Sequence, residues 1–162
     1  MSRFYNNIKT ISKGIKVNIF VDMDGVVADY DMIDYKIHGE EKDVYLTKRP
    51  IKTIINILEK VSALDNVNVY ILSVTRYKKQ INGKKIWLKK YMPFINNKNI
   101  KIISREERNN ESAEVIKKQY LDDFIKDNTA VNIHIDDSHN VLREIDKLDK
   151  DITPLHISSI LD

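Results

Sequence analysis

The sequence predicts an α/β fold in which a parallel sheet is covered by helices on both faces. Two observations carry that expectation. Short β-branched runs alternate with longer segments whose apolar residues recur at helical spacing, the pattern of a sheet buried between helix layers. Several of the short runs also stop abruptly on polar residues, and the carboxyl ends of parallel strands are where such folds place ligands.

The elements follow in order. The first strand covers about residues 16–22, where the run Ile19-Phe20-Val21 breaks off at Asp22. Pro50 then opens a helix at a position that tolerates proline, with Ile51, Ile54, Ile55, Leu58 and Val61 along one face. The second strand is 67–73, rich in β-branched and aromatic residues. A helix over about 82–92 is stopped by Pro93, and the third strand is Ile100 to Ser104. A helix near 111–126 carries Val115, Ile116, Tyr120 and Phe124, and the fourth strand is 131–136. Ser138 can cap a further helix bearing Val141, Leu142, Ile145 and Leu148, before a last strand from Thr153 to Ser158. The first fourteen residues receive no element, and no repeat or low-complexity tract interrupts the βαβαβαβαβ order.

Composition narrows the class. A chain of 162 residues lies in the range of one domain with its own core, so residues 1–162 read as a single domain. The absence of cysteine excludes disulfides and thiolate metal sites and suits a reducing, cytoplasmic setting. No apolar stretch approaches a membrane span, so no membrane partner is expected. The start Met1-Ser2-Arg3-Phe4-Tyr5-Asn6-Asn7 also lacks the apolar core of a secretory signal. Net charge is only +3, with lysines scattered. The densest basic stretch, Arg76-Tyr77-Lys78-Lys79-Gln80, is either a phosphate- or nucleic-acid-facing surface or a solvated loop.

The chemistry concentrates in Asp22-Met23-Asp24-Gly25. If the strand continues through this point, its period of two projects Asp22 and Asp24 to the same side. Two carboxylates held together repel, so such a pair has a cation between them or splits its ionisation states. An EF-hand loop is excluded, because glycine stands at loop position 4 rather than 6 and Ile33 takes position 12, which needs a bidentate Glu. Three further features follow in order: Ser73 at the end of the second strand, Lys84 three residues before Trp87, and the pair Asp136-Asp137 at the end of the fourth strand. His134 reads as a strand residue rather than a ligand, and His139 as lying near a helix start.

The string Asp22-Met23-Asp24-Gly25-Val26-Val27-Ala28-Asp29, with those three features, resembles the haloacid dehalogenase (HAD) superfamily of phosphotransferases, most nearly its 5'(3')-deoxyribonucleotidase branch. The resemblance implies a three-layer Rossmann-like fold with five parallel strands in the order 5-4-1-2-3. It implies Asp22 as nucleophile and Asp24 as general acid/base, with Asp22 and the Asp24 backbone carbonyl on Mg²⁺. Ser73 and the Val74 amide would bind phosphoryl oxygens. Lys84, chosen over Lys85 by its spacing to Trp87, would offset the charge of nucleophile and phosphate. Asp137 would hold the metal directly, while Asp136 would hold either Lys84 or a metal-bound water. A response-regulator receiver is excluded, since it places its acidic pair before the phosphorylated Asp.

Two departures stand out. The second motif reads Ser73-Val74-Thr75 where such nucleotidases often have Thr-Ser-Pro. The segment 29–49, with Tyr30, Met32, Tyr35, Gly39 and Tyr45, is long enough for a flap but not for a full cap. A reduced cap admits larger phosphorylated substrates or calls for a partner subunit, as in a homodimer. The resemblance therefore implies a Mg²⁺-dependent phosphatase for a small phosphorylated substrate, a (deoxy)nucleoside monophosphate first. The alternatives are polynucleotide ends or another phosphorylated macromolecule, and an idle HAD-fold binding protein. Tyr30, Tyr35, Tyr45 and Tyr77 flank the expected cleft and either stack on a base or pack the flap.

Overall fold

The structure, a computed structural model, describes residues 2–30, 44–126 and 129–161. Met32, Tyr35 and Gly39 of the expected flap lie outside the described residues. Five parallel strands form one sheet: β1 (Val17–Val21), β2 (Val67–Thr75), β3 (Ile100–Ser104), β4 (Val131–Asp136) and β5 (Ile152–His156). Their order is β3-β2-β1-β4-β5, as expected. Five α-helices are described: α1 (Arg3–Ile11), α2 (Lys52–Ser62), α3 (Gln80–Tyr91), α4 (Ala113–Phe124) and α5 (His139–Asp146).

Alternation along β1 divides the core in two. Ile19 and Val21 face a cluster completed by Phe4 and Ile8 of α1, Leu58 and Val61 of α2, and Trp87 and Leu88 of α3. Phe20, between them, faces the opposite cluster, with Leu121 of α4 and Val141 and Ile145 of α5. The three layers follow directly, with α1, α2 and α3 on one face and α4 and α5 on the other.

Register is tied at the amino ends of the central strands by a motif that recurs three times. Val17-Asn18-Ile19, Val67-Asn68-Val69 and Val131-Asn132-Ile133 align residue for residue. Asn18 donates to the Asn132 side chain at 3.0 Å, and Asn68 donates to Asn18 at 3.4 Å. Asn132 in turn satisfies the Ala130 and Asp151 carbonyls. A slip of one residue would bury these amides unpaired and turn the apolar faces outward. With register fixed there, β1, β2 and β4 bring Asp22, Ser73 and Asp136 to the same end of the sheet.

Several elements differ from expectation. The amino-terminal segment is helical: Ser2 caps α1 by accepting from the Tyr5 amide, and Phe4 and Ile8 pack into the core. Phe4 and Ile8 are the buried residues of its apolar face, and with Ile11 they recur at helical spacing, a signal the sequence did carry. Strand β2 runs on to Thr75, because β3 pairs with it past the point where β1 has ended. Helix α3 begins at Gln80 rather than 82, its first turn steadied by the Gln80 carboxamide, which accepts from Thr75 Oγ1 and the Tyr77 amide. In α4 the inward face is Ile116, Lys117 and Leu121, while Val115 and Phe124 are exposed at 45% and 39%. Ile116→Ala is therefore expected to cost about 2–5 kcal/mol, against about 0.5 kcal/mol or less for Val115→Ala. Paired denaturant titrations showing equal losses would contradict this orientation of the helix.

Candidate functional site

The first strand delivers its two carboxylates through a turn that depends on Gly25. Asp22 is held to the end of β4 by its amide, which donates to Ile135 O at 2.9 Å. The chain then curls so that the amides of Val27 and Ala28 return to Met23 O at 3.0 and 2.9 Å, and Gly25 takes φ +76°. Space adds to conformation here. A Cβ on Gly25 would lie 2.1 Å from Asp137 Oδ2, so the Asp137 carboxylate rests directly over this glycine and would have to turn aside for a larger residue.

Around this turn a buried lysine joins the two acidic strand ends. Lys117, 3% exposed, places Nζ 2.9 Å from Asp22 Oδ1 and 2.6 Å from Asp136 Oδ2. Asp136 is fully engaged: His134 Nε2 lies 3.0 Å from Oδ2, and the Ser138 amide donates to Oδ1 at 2.9 Å. Burial would raise the Asp136 carboxyl, but His134 and Lys117 overcome it and hold the group well below the usual carboxylate range. Burial pushes His134 down, so it is a neutral, fully buried strand residue. Asp22 moves the other way. Burial, with repulsion from Asp136 and Asp24, outweighs Lys117 and Lys84 and lifts its carboxyl to about 6.

A second cationic pair sits on Asp24. Lys84 is fully buried and donates to Asp24 Oδ2 at 2.7 Å, to Ser73 Oγ at 2.8 Å and to Val74 O at 3.2 Å. Lys48 donates to Asp24 Oδ1 at 2.5 Å. Burial opposes ionisation of Asp24, but the two ammonium groups prevail and lower its carboxyl. Lys48 is held in turn through its carbonyl, which accepts from Trp87 Nε1 at 2.8 Å. The Lys-x-x-Trp string thus binds the site with Lys84 and the base of the flap with Trp87, while Lys85 is exposed. The two ends of the segment 29–49 meet, where the Asp29 amide donates to Arg49 O at 2.8 Å and Arg49 Nη2 pairs with Asp29.

All seven residues expected at the site meet at the carboxyl ends of β1, β2 and β4, but two assignments change. The lysine touching Asp22 is Lys117, whereas Lys84 touches Asp24. The partner of Asp136 is accordingly Lys117, not Lys84. Lys117 carried a signal in the sequence: Ala113, Lys117 and Leu121 recur every four residues, putting a lysine in an apolar row. Lys48 carried none, because its position is set by where the two ends of the segment 29–49 meet. Of the tyrosines, Tyr30 lines the cavity and is 61% exposed. Tyr45 is buried beneath Lys84 and Lys48, whose ammonium nitrogens lie 4.6 and 4.9 Å from its ring centre, and offers no open face to a base. Tyr77 carries Arg76 and Lys79 on its ring.

Asp22, Asp136 and Asp137 each present an oxygen, all within 4.8 Å of one another. A hard cation with oxygen ligands fits this donor set. Asp136 already has both oxygens hydrogen-bonded, whereas Asp137 is exposed, and its carboxyl is raised by partial desolvation and by the neighbouring Asp136 charge. Asp22 and Asp137 are thus the side chains with most to gain from a cation. The cavity they floor encloses about 430 Å³ and is also lined by Val74, Arg76, Arg105, Ser138 and Asn140.

No protein-family model matches the chain, and no curated protein sequence does. Among solved structures, a chain in the structure of the Pnkp1/Rnl/Hen1 RNA repair complex is similar, with a TM-score of 0.62 and 14% identity. The match covers 88% of this chain and 43% of that one, so this chain spans less than half the length of its structural neighbour. At this identity the likeness is one of fold.

The raised Asp22 carboxyl has a consequence for stability. In the folded chain without divalent cations its proton is held up to about 6, against 3.8 ordinarily. Its contribution is therefore full below pH 3.8 and is lost as the pH rises through 6. In EDTA, Asp22→Asn should raise Tm at pH 8 by on the order of 5 °C and by less at pH 5. A variant that melts lower than the native protein at pH 8 would show that attraction to Lys117, not burial, dominates.

Proposed function

We propose that the chain is a Mg²⁺-dependent phosphomonoesterase of the HAD type, acting through an aspartyl-phosphate on Asp22, with (deoxy)nucleoside monophosphates as its substrates. The observation that carries the reading is the double carboxylate–lysine arrangement: Asp22 on Lys117, and Asp24 on Lys84 beside Ser73. A carboxylate nucleophile needs a lone pair free at neutral pH, and a carboxyl at about 6 is mostly ionised there. When bound, Mg²⁺ would neutralise charge between the phosphoryl oxygens and the carboxylates, held by Asp22, Asp137 and the Asp24 carbonyl.

The proposed steps balance as follows. Asp22 Oδ attacks phosphorus and the bond from phosphorus to the ester oxygen breaks, with Asp24 supplying the proton that the leaving alkoxide takes. Asp24 then removes a proton from water, the oxygen attacks phosphorus, and the bond to Asp22 breaks to release inorganic phosphate. Ser73 Oγ and the Val74 amide steady the phosphoryl oxygens. Lys117 holds Asp22 in line, and Lys84 spans Asp24 and the phosphoryl group. Because Asp24 is clamped in its ionised form, the incoming phosphate has a further task. By drawing Lys84 towards its own oxygens it loosens the clamp and lets Asp24 carry a proton.

A second reading, phosphorylated polynucleotide ends, is favoured by the two arginines on the cavity rim and by the structural neighbour's place in an RNA repair complex. A panel of nucleoside monophosphates, 3'- and 5'-phosphorylated oligonucleotides and hexose phosphates, each with Mg²⁺ or EDTA, tests both. Hydrolysis that needs Mg²⁺ and favours nucleotidyl esters is expected. Better kcat/KM on hexose phosphates than on every nucleotidyl ester would end the nucleotide assignment. Asp22→Asn should reduce turnover by at least about 10⁴-fold while circular dichroism stays native.

Asp24→Asn separates acid chemistry from binding. It should slow nucleosides, which leave poorly, by roughly 10²–10⁴-fold, the usual share of general acid–base catalysis. Single-turnover cleavage of p-nitrophenyl phosphate, whose leaving group needs little protonation, should suffer far less. Equal losses on both esters would confine Asp24 to anchoring its two lysines.

A further inference from the structure

The cavity has a wall that the proposed chemistry leaves unused, and it is cationic. Arg76 follows the last residue of β2 and Arg105 the last residue of β3. The two strands are still paired there, Thr75 opposite Ser104, and the Arg105 amide donates to Thr75 O at 2.9 Å. Both arginines therefore issue from neighbouring strand ends, and both line the cavity floored by Asp22 and Asp24.

Arg105 is built into its place. Its Nε donates to Glu111 O at 2.7 Å and its Nη2 to Asn110 O at 3.0 Å. The carbonyls reach it because Asn109 and Asn110 both adopt left-handed backbone, φ 52° and 58°, curling the loop back around the guanidinium. These bonds use two of the five guanidinium N–H groups, and Arg105 forms no ion pair among the described residues. The acidic residues next to it are occupied elsewhere: Glu107 pairs with Lys78 at 2.7 Å, and Glu106 accepts from the Lys78 amide. Glu114 also lines this cavity, so the wall is not purely basic. A guanidinium pinned on one edge with its other N–H groups unused presents a fork suited to phosphate oxygens.

We infer that Arg105, with Arg76 beside it, forms a subsite for a second phosphate on the substrate, next to the ester cleaved at Asp22. This rests on the phosphomonoesterase reading and moves its preferred substrate from a lone nucleoside monophosphate to one bearing a second phosphate. The favoured substrate carries two phosphates on one sugar, at its 3' and 5' positions, either a nucleoside bisphosphate or a phosphorylated polynucleotide end whose adjoining diester supplies the second charge. A lone monophosphate leaves this wall unfilled.

The test compares kcat/KM for adenosine 5'-monophosphate, adenosine 3',5'-bisphosphate, a 3'-phosphorylated trinucleotide and p-nitrophenyl phosphate in the native protein, Arg105→Gln and Arg76→Gln. A gain of at least about tenfold from the second phosphate is expected, since charge-assisted contacts are the strong ones. In Arg105→Gln the loss on doubly charged substrates should exceed the loss on p-nitrophenyl phosphate by a similar factor. The bisphosphate and trinucleotide arms identify which source of the second phosphate is used. Hydrolysis of monoesters with no gain from a second phosphate, or equal losses on all substrates, overturns the subsite. If no ester is hydrolysed, the phosphatase reading fails separately, and calorimetric titration of Asp22→Asn protein with the bisphosphate and monophosphate decides the subsite. Tighter bisphosphate binding that Arg105→Gln abolishes upholds it, and equal binding of the two overturns it.

Discussion

Four carboxylates at one end of a sheet repel one another, and the structure is organised around what offsets that repulsion. Lys117 sits between Asp22 and Asp136, and Lys84 and Lys48 sit on Asp24. Two of these three ammonium groups are almost completely buried, so each would be costly alone. Removing Lys117 would leave Asp22 and Asp136 facing one another without compensation. Removing the carboxylates would strand the lysines. The two halves of the site are therefore mutually required, and the helices that deliver the lysines, α3 and α4, pack on opposite faces of the sheet. The three-layer architecture is what lets cations reach the carboxylates from both sides.

The offset is unequal. Asp136 has all of its oxygens bonded and is held ionised, while Asp22, a few ångströms away on the same lysine, has its carboxyl raised to about 6. The same burial acts on both. The difference lies in the partners: His134 and the Ser138 amide add to Lys117 at Asp136, whereas Asp22 has Lys117 and two like charges nearby. Asp22 is thus far less satisfied than Asp136. An unsatisfied, partly accessible carboxylate is poised to accept a cation or an electrophile, whereas a satisfied one positions its neighbours. Pairs of acids driven apart in this way are a common signature of reactive sites.

Much of this was legible in the sequence, for physical reasons that also explain what was not. Central strands buried on both faces read as continuous β-branched runs, so β1, β2 and β4 and the residues ending them stood out. Their order followed from the resemblance carried by Asp22, Ser73, Lys84 and Asp137. Helix α1 was legible too, since Phe4, Ile8 and Ile11 recur at helical spacing behind the Ser2 cap, but it lies outside the strand–helix alternation that organised the rest. The exchange of Lys84 for Lys117 at Asp22 has another origin. In a lysine-rich chain, proximity to Trp87 singles out one lysine, but contact with Asp22 depends on which face of α4 turns inward. That face is decided by packing of Ile116 and Leu121 against the sheet, with Val115 left exposed. Tyr45 shows the same limit: a tyrosine near a cleft in sequence is, in the fold, the floor beneath two lysines.

The sheet also divides the charged groups of the cavity between its strands. The β1 and β4 ends bring acidic groups, Asp22, Asp24, Asp136 and Asp137, while the β2 and β3 ends bring Ser73, Arg76 and Arg105. On the proposed reading, an anionic substrate with its phosphate at Asp22 would be repelled by the first side unless a cation intervened, and drawn towards the second. The acidic strand ends thus lie to one side of the cavity and the two arginines to the other, with Lys117 set among the carboxylates and Glu114 also on the lining, and strand order sets that arrangement. Register is locked at the opposite ends of the strands by Asn18, Asn68 and Asn132, so the reactive end can concentrate unfavourable charge without being the element that holds the sheet together. Separating the locking end from the charged end is what allows five parallel strands to carry so many buried ionisable groups on one edge.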